Sequence, residues 1–86
     1  MTEPLHLDGN AIAGLLAEAF GNDMTLAVRD CMRCGDHSVL GSHRAYVSAG
    51  VVLRCPGCSQ VSVRITTLPD RHVVELSGAW KLAVPR

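Results

Sequence analysis

Cys31-Met32-Arg33-Cys34-Gly35 and Cys55-Pro56-Gly57-Cys58-Ser59 hold all four cysteines of the 86-residue chain, at C-x2-C-x20-C-x2-C spacing. Two thiolates three positions apart grip one face of an ion when the backbone turns sharply between them. A second such turn completes a tetrahedron of sulfurs. Cys31, Cys34, Cys55 and Cys58 are therefore the expected ligands of one ion per chain. Zn²⁺ is the expected ion, with iron the less favoured one for the same ligand type. A site filled by four cysteines keeps no position open for water or substrate, so no catalysis is expected of it. The residue after each second cysteine, Gly35 or Ser59, is small, which suits a turn that aims backbone N–H groups at sulfur and sometimes needs positive φ. Arg33 inside the first knuckle and Arg54 just before the second are expected to offset the charge of the tetrathiolate.

Four cysteines in a short chain could also form two disulfides. Met1-Thr2-Glu3-Pro4-Leu5-His6 lacks a basic stretch leading into an apolar one, and no apolar run approaches the length of a membrane span. The expectation is a cytoplasmic, reducing setting with free thiolates and no membrane contact. Eighty-six residues allow a single domain, 1–86, with little core for its surface, so a metal staple is welcome. The net charge is zero but unevenly placed. Residues 1–28 carry Glu3, Asp8, Glu18 and Asp23 without Lys or Arg, and all eight basic residues lie beyond them.

The elements that must position the knuckles follow from periodicity. Asp8 is placed to cap a helix, with Leu7 and Ile12 as a hydrophobic staple. Ile12, Leu15, Leu16, Ala19 and Phe20 recur at helical spacing, and Gly21-Asn22 stops the helix. Three turns are too few to stand alone in water, so this stripe must dock on the chain's own sheet or on another chain. Ile12, Leu15, Leu16 and Phe20 are the candidate partner contacts. Thr25–Arg29 reads as a strand delivering Cys31, and Ala45–Ser48 and Val51–Arg54 flank Ala49-Gly50 as a hairpin ending at Cys55. Val61, Val63 and Ile65 alternate with Ser62, Arg64 and Thr66, the pattern of a strand with one wet face. Leu68-Pro69-Asp70-Arg71 is a turn, and His72–Leu76 and Ala79–Val84 are further strands. The expected fold is a small α+β zinc ribbon, with an N-terminal amphipathic helix in segment 1–24 and an antiparallel β-sheet in 25–86 stapled by a four-cysteine zinc site.

The chain resembles a family of short actinobacterial proteins catalogued as a domain of unknown function. The likeness rests on Leu7-Asp8-Gly9-Asn10-Ala11-Ile12-Ala13-Gly14, Asp23-Met24-Thr25, the two knuckles and Val52-Leu53-Arg54-Cys55-Pro56-Gly57-Cys58. It implies a zinc-ribbon fold, the four cysteines as ligands and, from the genes near those of such proteins, an accessory role in a redox enzyme system. The expected function is accordingly a protein–protein interaction or accessory module with a structural zinc, acting on a protein partner or as a homodimer. A nucleic-acid-binding ribbon is the alternative. A neutral chain with dispersed arginines and only Phe20, Tyr46 and Trp80 for stacking offers it little. A third reading is a rubredoxin-like iron electron carrier, which shares the ligand type but not the aromatic core.

Overall fold

A computed structural model describes residues 7–85, which form one short helix and eight strands in two antiparallel sheets. The larger sheet is ordered β1-β4-β5-β6-β7. Four of its strands are a meander: β4 (Arg44–Val47), β5 (Val51–Arg54), β6 (Val61–Thr67) and β7 (His72–Leu76), with β1 (Leu7–Asp8) added to the free edge of β4. The turn between β4 and β5 needs a glycine, because a Cβ on Gly50 would lie 2.7 Å from the carbonyl oxygen of Ile65. The smaller sheet places β2 (Val28–Cys31) between β3 (His37–Val39) and β8 (Trp80–Ala83).

The core lies under the meander and the helix. Leu16, Leu40, Leu53, Val63 and Ile65 are fully buried in it, with Ile12, Met24, Ala27, Ala45 and Val51 around them. Apolar side chains on alternate positions of β5 and β6 face inward, as a half-buried sheet requires.

Several sequence expectations are corrected by these packing demands. Asp8 does cap, accepting the Ala11 N–H at 3.1 Å, but it caps a 3-10 turn over Gly9–Ile12. The α-helix, α1, covers only Ala13–Phe20. Leu7 and Asp8 instead pair with Ala45 and Arg44. Gly9 then passes so close to the chain that a Cβ there would sit 1.9 Å from the Leu40 carbonyl oxygen. Within α1 only Leu16 is fully buried, while Leu15, Ala19 and Phe20 are half-buried against the core. Glu18 is the one charged residue of Ala-Gly-Leu-Leu-Ala-Glu-Ala-Phe, so the helix has no sharply divided faces. It stops where expected, at Gly21 with φ +82° and its N–H on the Ala17 carbonyl.

Thr25 and Leu26 are not strand. Asp23 accepts both the Thr25 N–H at 3.0 Å and its hydroxyl at 2.8 Å, bending the chain so that β2 begins at Val28. The strands form two sheets rather than one, because β8 pairs with β2, aligning Trp80 with Cys31, instead of extending the meander beyond β7. Strand β3 between the knuckles is short and polar at its start, which hid it from a periodicity reading. Ser62, expected on the wet face, is buried because the register shifts there: Leu53 faces Val63 but Arg54 faces Val61. This β-bulge turns Ser62 inward, where its hydroxyl donates to the Leu53 carbonyl at 3.2 Å.

Candidate metal centre

The two knuckles are built alike. In the first, the Cys31 N–H donates to the Asp36 carbonyl at 2.8 Å and the Gly35 N–H to the Cys31 carbonyl at 2.9 Å. In the second, the Cys55 N–H donates to the Gln60 carbonyl and the Ser59 N–H to the Cys55 carbonyl, each at 2.9 Å. Both turns close through a left-handed residue, Gly35 at φ +80° and Ser59 at +63°. Glycine takes that conformation freely, whereas Ser59 holds it at a cost of about 1 kcal/mol. Strand β2 carries Cys31 into the first turn and β5 leads into Cys55, so the backbone of both sheets fixes where the sulfurs meet.

All four Sγ atoms lie within 4.8 Å of one another. Metal–sulfur bonds of about 2.3 Å in a tetrahedron put neighbouring sulfurs about 3.8 Å apart, and Cys34 Sγ lies 3.7 Å from Cys55 Sγ. The donor set therefore fits a tetrahedral thiophilic ion with only a small contraction, and the four cysteines could hold one. Cys31 and Cys55 are buried, Cys58 is half-buried and Cys34 is exposed. One edge of the cluster thus faces solvent.

The surroundings favour the thiolate at Cys31 and Cys55 and disfavour it at Cys34. Backbone N–H groups of Cys34 and Arg33 pull Cys31 down to about 6, and the Cys34 N–H lies 3.5 Å from its sulfur. Cys34 is pushed the other way: the Asp36 N–H favours its thiolate, but burial and the neighbouring sulfurs of Cys31, Cys55 and Cys58 drive it up to about 12. Burial raises Cys55, yet the N–H groups of Cys58 and Gly57 and the side chain of Arg29 outweigh it and leave the thiol lowered. Sulfurs this close cannot all be anionic without a cation between them.

Of the arginines singled out from the sequence, Arg54 donates to the Ser59 carbonyl at 2.8 Å and stands 5.7 Å from the Tyr46 ring, bracing the second knuckle from outside. Arg33 is exposed. The arginine with the closest bearing on the sulfurs is Arg29, which sequence reasoning passed over. It is 2 % exposed, lies 5.1 Å from the Trp80 ring and favours the Cys55 thiolate. Its signal was present in the strand period, since residues 29 and 31 of β2 point to the same face. His43 is also fully buried, one position before the Arg44–Arg54 pair, with Nδ1 3.0 Å from the Val39 carbonyl, to which it donates. Burial lowers its basicity, and the nearby Arg29 charge lowers it further. His37, the histidine nearest Cys34 in sequence, pairs instead with Asp30 through Nδ1.

Of the candidate partner contacts, Ile12 and Leu16 belong to the protein's own core, while Leu15 and Phe20 remain half-exposed. Phe20 borders a shallow apolar groove with Leu76, Trp80 and Leu82. No helix among the described residues is long and apolar enough to cross a membrane.

Fold and site together define a small α+β protein built around a four-cysteine cluster able to hold a metal ion. Residues 3–86 match the model of the family of unknown function DUF6510, and the chain belongs to that family. No curated protein and no solved structure matches it.

Proposed function

We propose that this protein is a zinc-stapled accessory module, in which one Zn²⁺ held by Cys31, Cys34, Cys55 and Cys58 supports a surface that binds another protein or a second copy of the chain. The observation that carries the reading is the convergence of four sulfurs within 4.8 Å, contributed by turns that follow strands of two different sheets. Bound there, the ion supplies cross-linking rather than reactivity, because four protein sulfurs complete its tetrahedron. Structural zinc sites in small peptides contribute about 10–16 kcal/mol near neutral pH, as much as the whole stability of an ordinary domain. The half-exposed Leu15 and Phe20, with the exposed Leu76, support the partner role, as apolar surface beyond what the core consumes.

The test is elemental analysis and native mass spectrometry of the purified protein, followed by circular dichroism with a strong chelator under reducing conditions. One zinc per chain, loss of the cooperative melt on chelation and a stable dimer or retained partner are expected. An unchanged cooperative melt refutes the structural metal, and a strictly monomeric chain that retains nothing refutes the partner role. The exposed position of Cys34 at the rim of the cluster favours a second reading, an iron site exchanging electrons through that edge. Thiolate charge-transfer bands in the visible spectrum would replace the first reading with the second.

A further inference from the structure

We propose that the cleft beside the cysteine cluster is a binding site for a small molecule carrying an oxyanion, carboxylate or phosphate, gripped by Arg29, Arg33 and Arg54. The cleft holds about 350 Å³, the size of a small-metabolite pocket, and all three guanidinium side chains border it. No acidic residue among the described residues lines it, while Gln60 and Ser77 add neutral hydrogen-bonding groups. A cleft with three cations and no carboxylate is charge-complementary to an anion.

The second observation is independent of that charge count. Arg29 is almost wholly buried, yet its Nε and one terminal nitrogen, Nη1, have no acceptor among the described residues. The side chain also favours the Cys55 thiolate, but buried donors left unpaired are costly, and the fork geometry of a guanidinium suits a planar or tetrahedral oxyanion. A tetrathiolate carrying a divalent ion has a charge of about −2, which the three arginines exceed by one. An anion is therefore still attracted to the cleft when the metal is bound. Cys31, whose thiolate is already counted in the tetrathiolate charge, and Gly78 complete the wall with Met32, Val61 and Ala79, and these last three fit the apolar body of such a molecule. The site goes beyond the accessory reading above and holds for zinc or iron alike.

The experiment uses the metal-loaded full chain, with inorganic phosphate and succinate as separate probes and potassium chloride at matched ionic strength as the control. Isothermal calorimetry and the fluorescence of Trp80, which stacks on Arg29, read the binding. Saturable one-to-one binding of at least one probe is expected, weakening as chloride is added. Phosphate alone binding identifies a phosphorylated ligand, and succinate alone a carboxylate. Arg33→Gln, an exposed site, is expected to weaken binding about tenfold. Gln60→Glu, nearly isosteric and also exposed, places a carboxylate in the cleft and is expected to abolish binding. Metal content and circular dichroism of both variants confirm an intact fold. No response beyond the chloride control, or equal affinity in wild type and both variants, overturns the site while leaving the metal centre standing.

Discussion

Gly57→Ala is the substitution for which the metal centre makes the sharpest demand. A Cβ at position 57 would lie 2.7 Å from Cys34 Sγ and 3.0 Å from the Asp36 Cβ. Ordinary contact between such atoms is about 3.5–4.0 Å, so the sulfur must retreat by about 1 Å. In the metal-free chain that costs little, because Cys34 is exposed and its side chain can turn away. In the metal-loaded chain the same sulfur is tied at about 2.3 Å to the ion, with a tolerance of about 0.2 Å. The strain therefore falls on metal binding, and a loss of about 10–100-fold in affinity is expected, the range typical when the groups supporting a ligand are disturbed. Competition with a chromophoric chelator measures it. Gly14→Ala is the control: a Cβ there meets nothing within 4 Å, and the position lies inside α1. That change is expected to raise stability by about 0.5–1 kcal/mol without touching affinity. Gly57→Ala binding metal within about twofold of wild type would refute the reasoning.

Three further outcomes follow from the same geometry. Leu16→Ala, at the one fully buried position of α1, is expected to lower the unfolding free energy of the metal-loaded chain by about 2–5 kcal/mol in chemical denaturation. Arg29→Met is expected to weaken metal binding by about tenfold, read by chelator competition, since it removes the buried cation that favours the Cys55 thiolate. His43 has a folded-state pKa below its usual value of about 6.5, so the unfolded chain takes up its proton first as the pH falls. Its share of stability is complete above pH ~6.5 and declines below it, by at most about 1.4 kcal/mol per pH unit. His43→Gln is expected to flatten that part of the denaturation-versus-pH curve, measured where elemental analysis shows the metal retained.

Much of the site was legible in the residues themselves. Cysteines three apart, each pair followed by a small residue able to take positive φ, specify a knuckle locally. The turns at Gly35 and Ser59 close through hydrogen bonds within each knuckle, with the Met32 N–H on the Ala79 carbonyl as the tie to the distant segment that leads into β8. The meander was legible for a related reason: alternation in β4 to β7 and the punctuation of Gly50 and Pro69 are short-range signals. What escaped were the features that depend on distant partners. Leu7 and Asp8 became a strand because β4 offered them an edge, and the expected helix shortened as Gly9 closed on Leu40.

The sequence by itself determined which four cysteines could hold an ion, the turn chemistry and the antiparallel class, because each is encoded within a few neighbouring residues. Only the tertiary structure decided that the strands divide into two sheets, that Ser62 turns inward at a bulge, that Arg29 is buried where it favours the Cys55 thiolate and that His43 is buried at all. Burial of a cation beside thiolates is a relation between β2, β8 and the second knuckle, and no local pattern records which strands will meet.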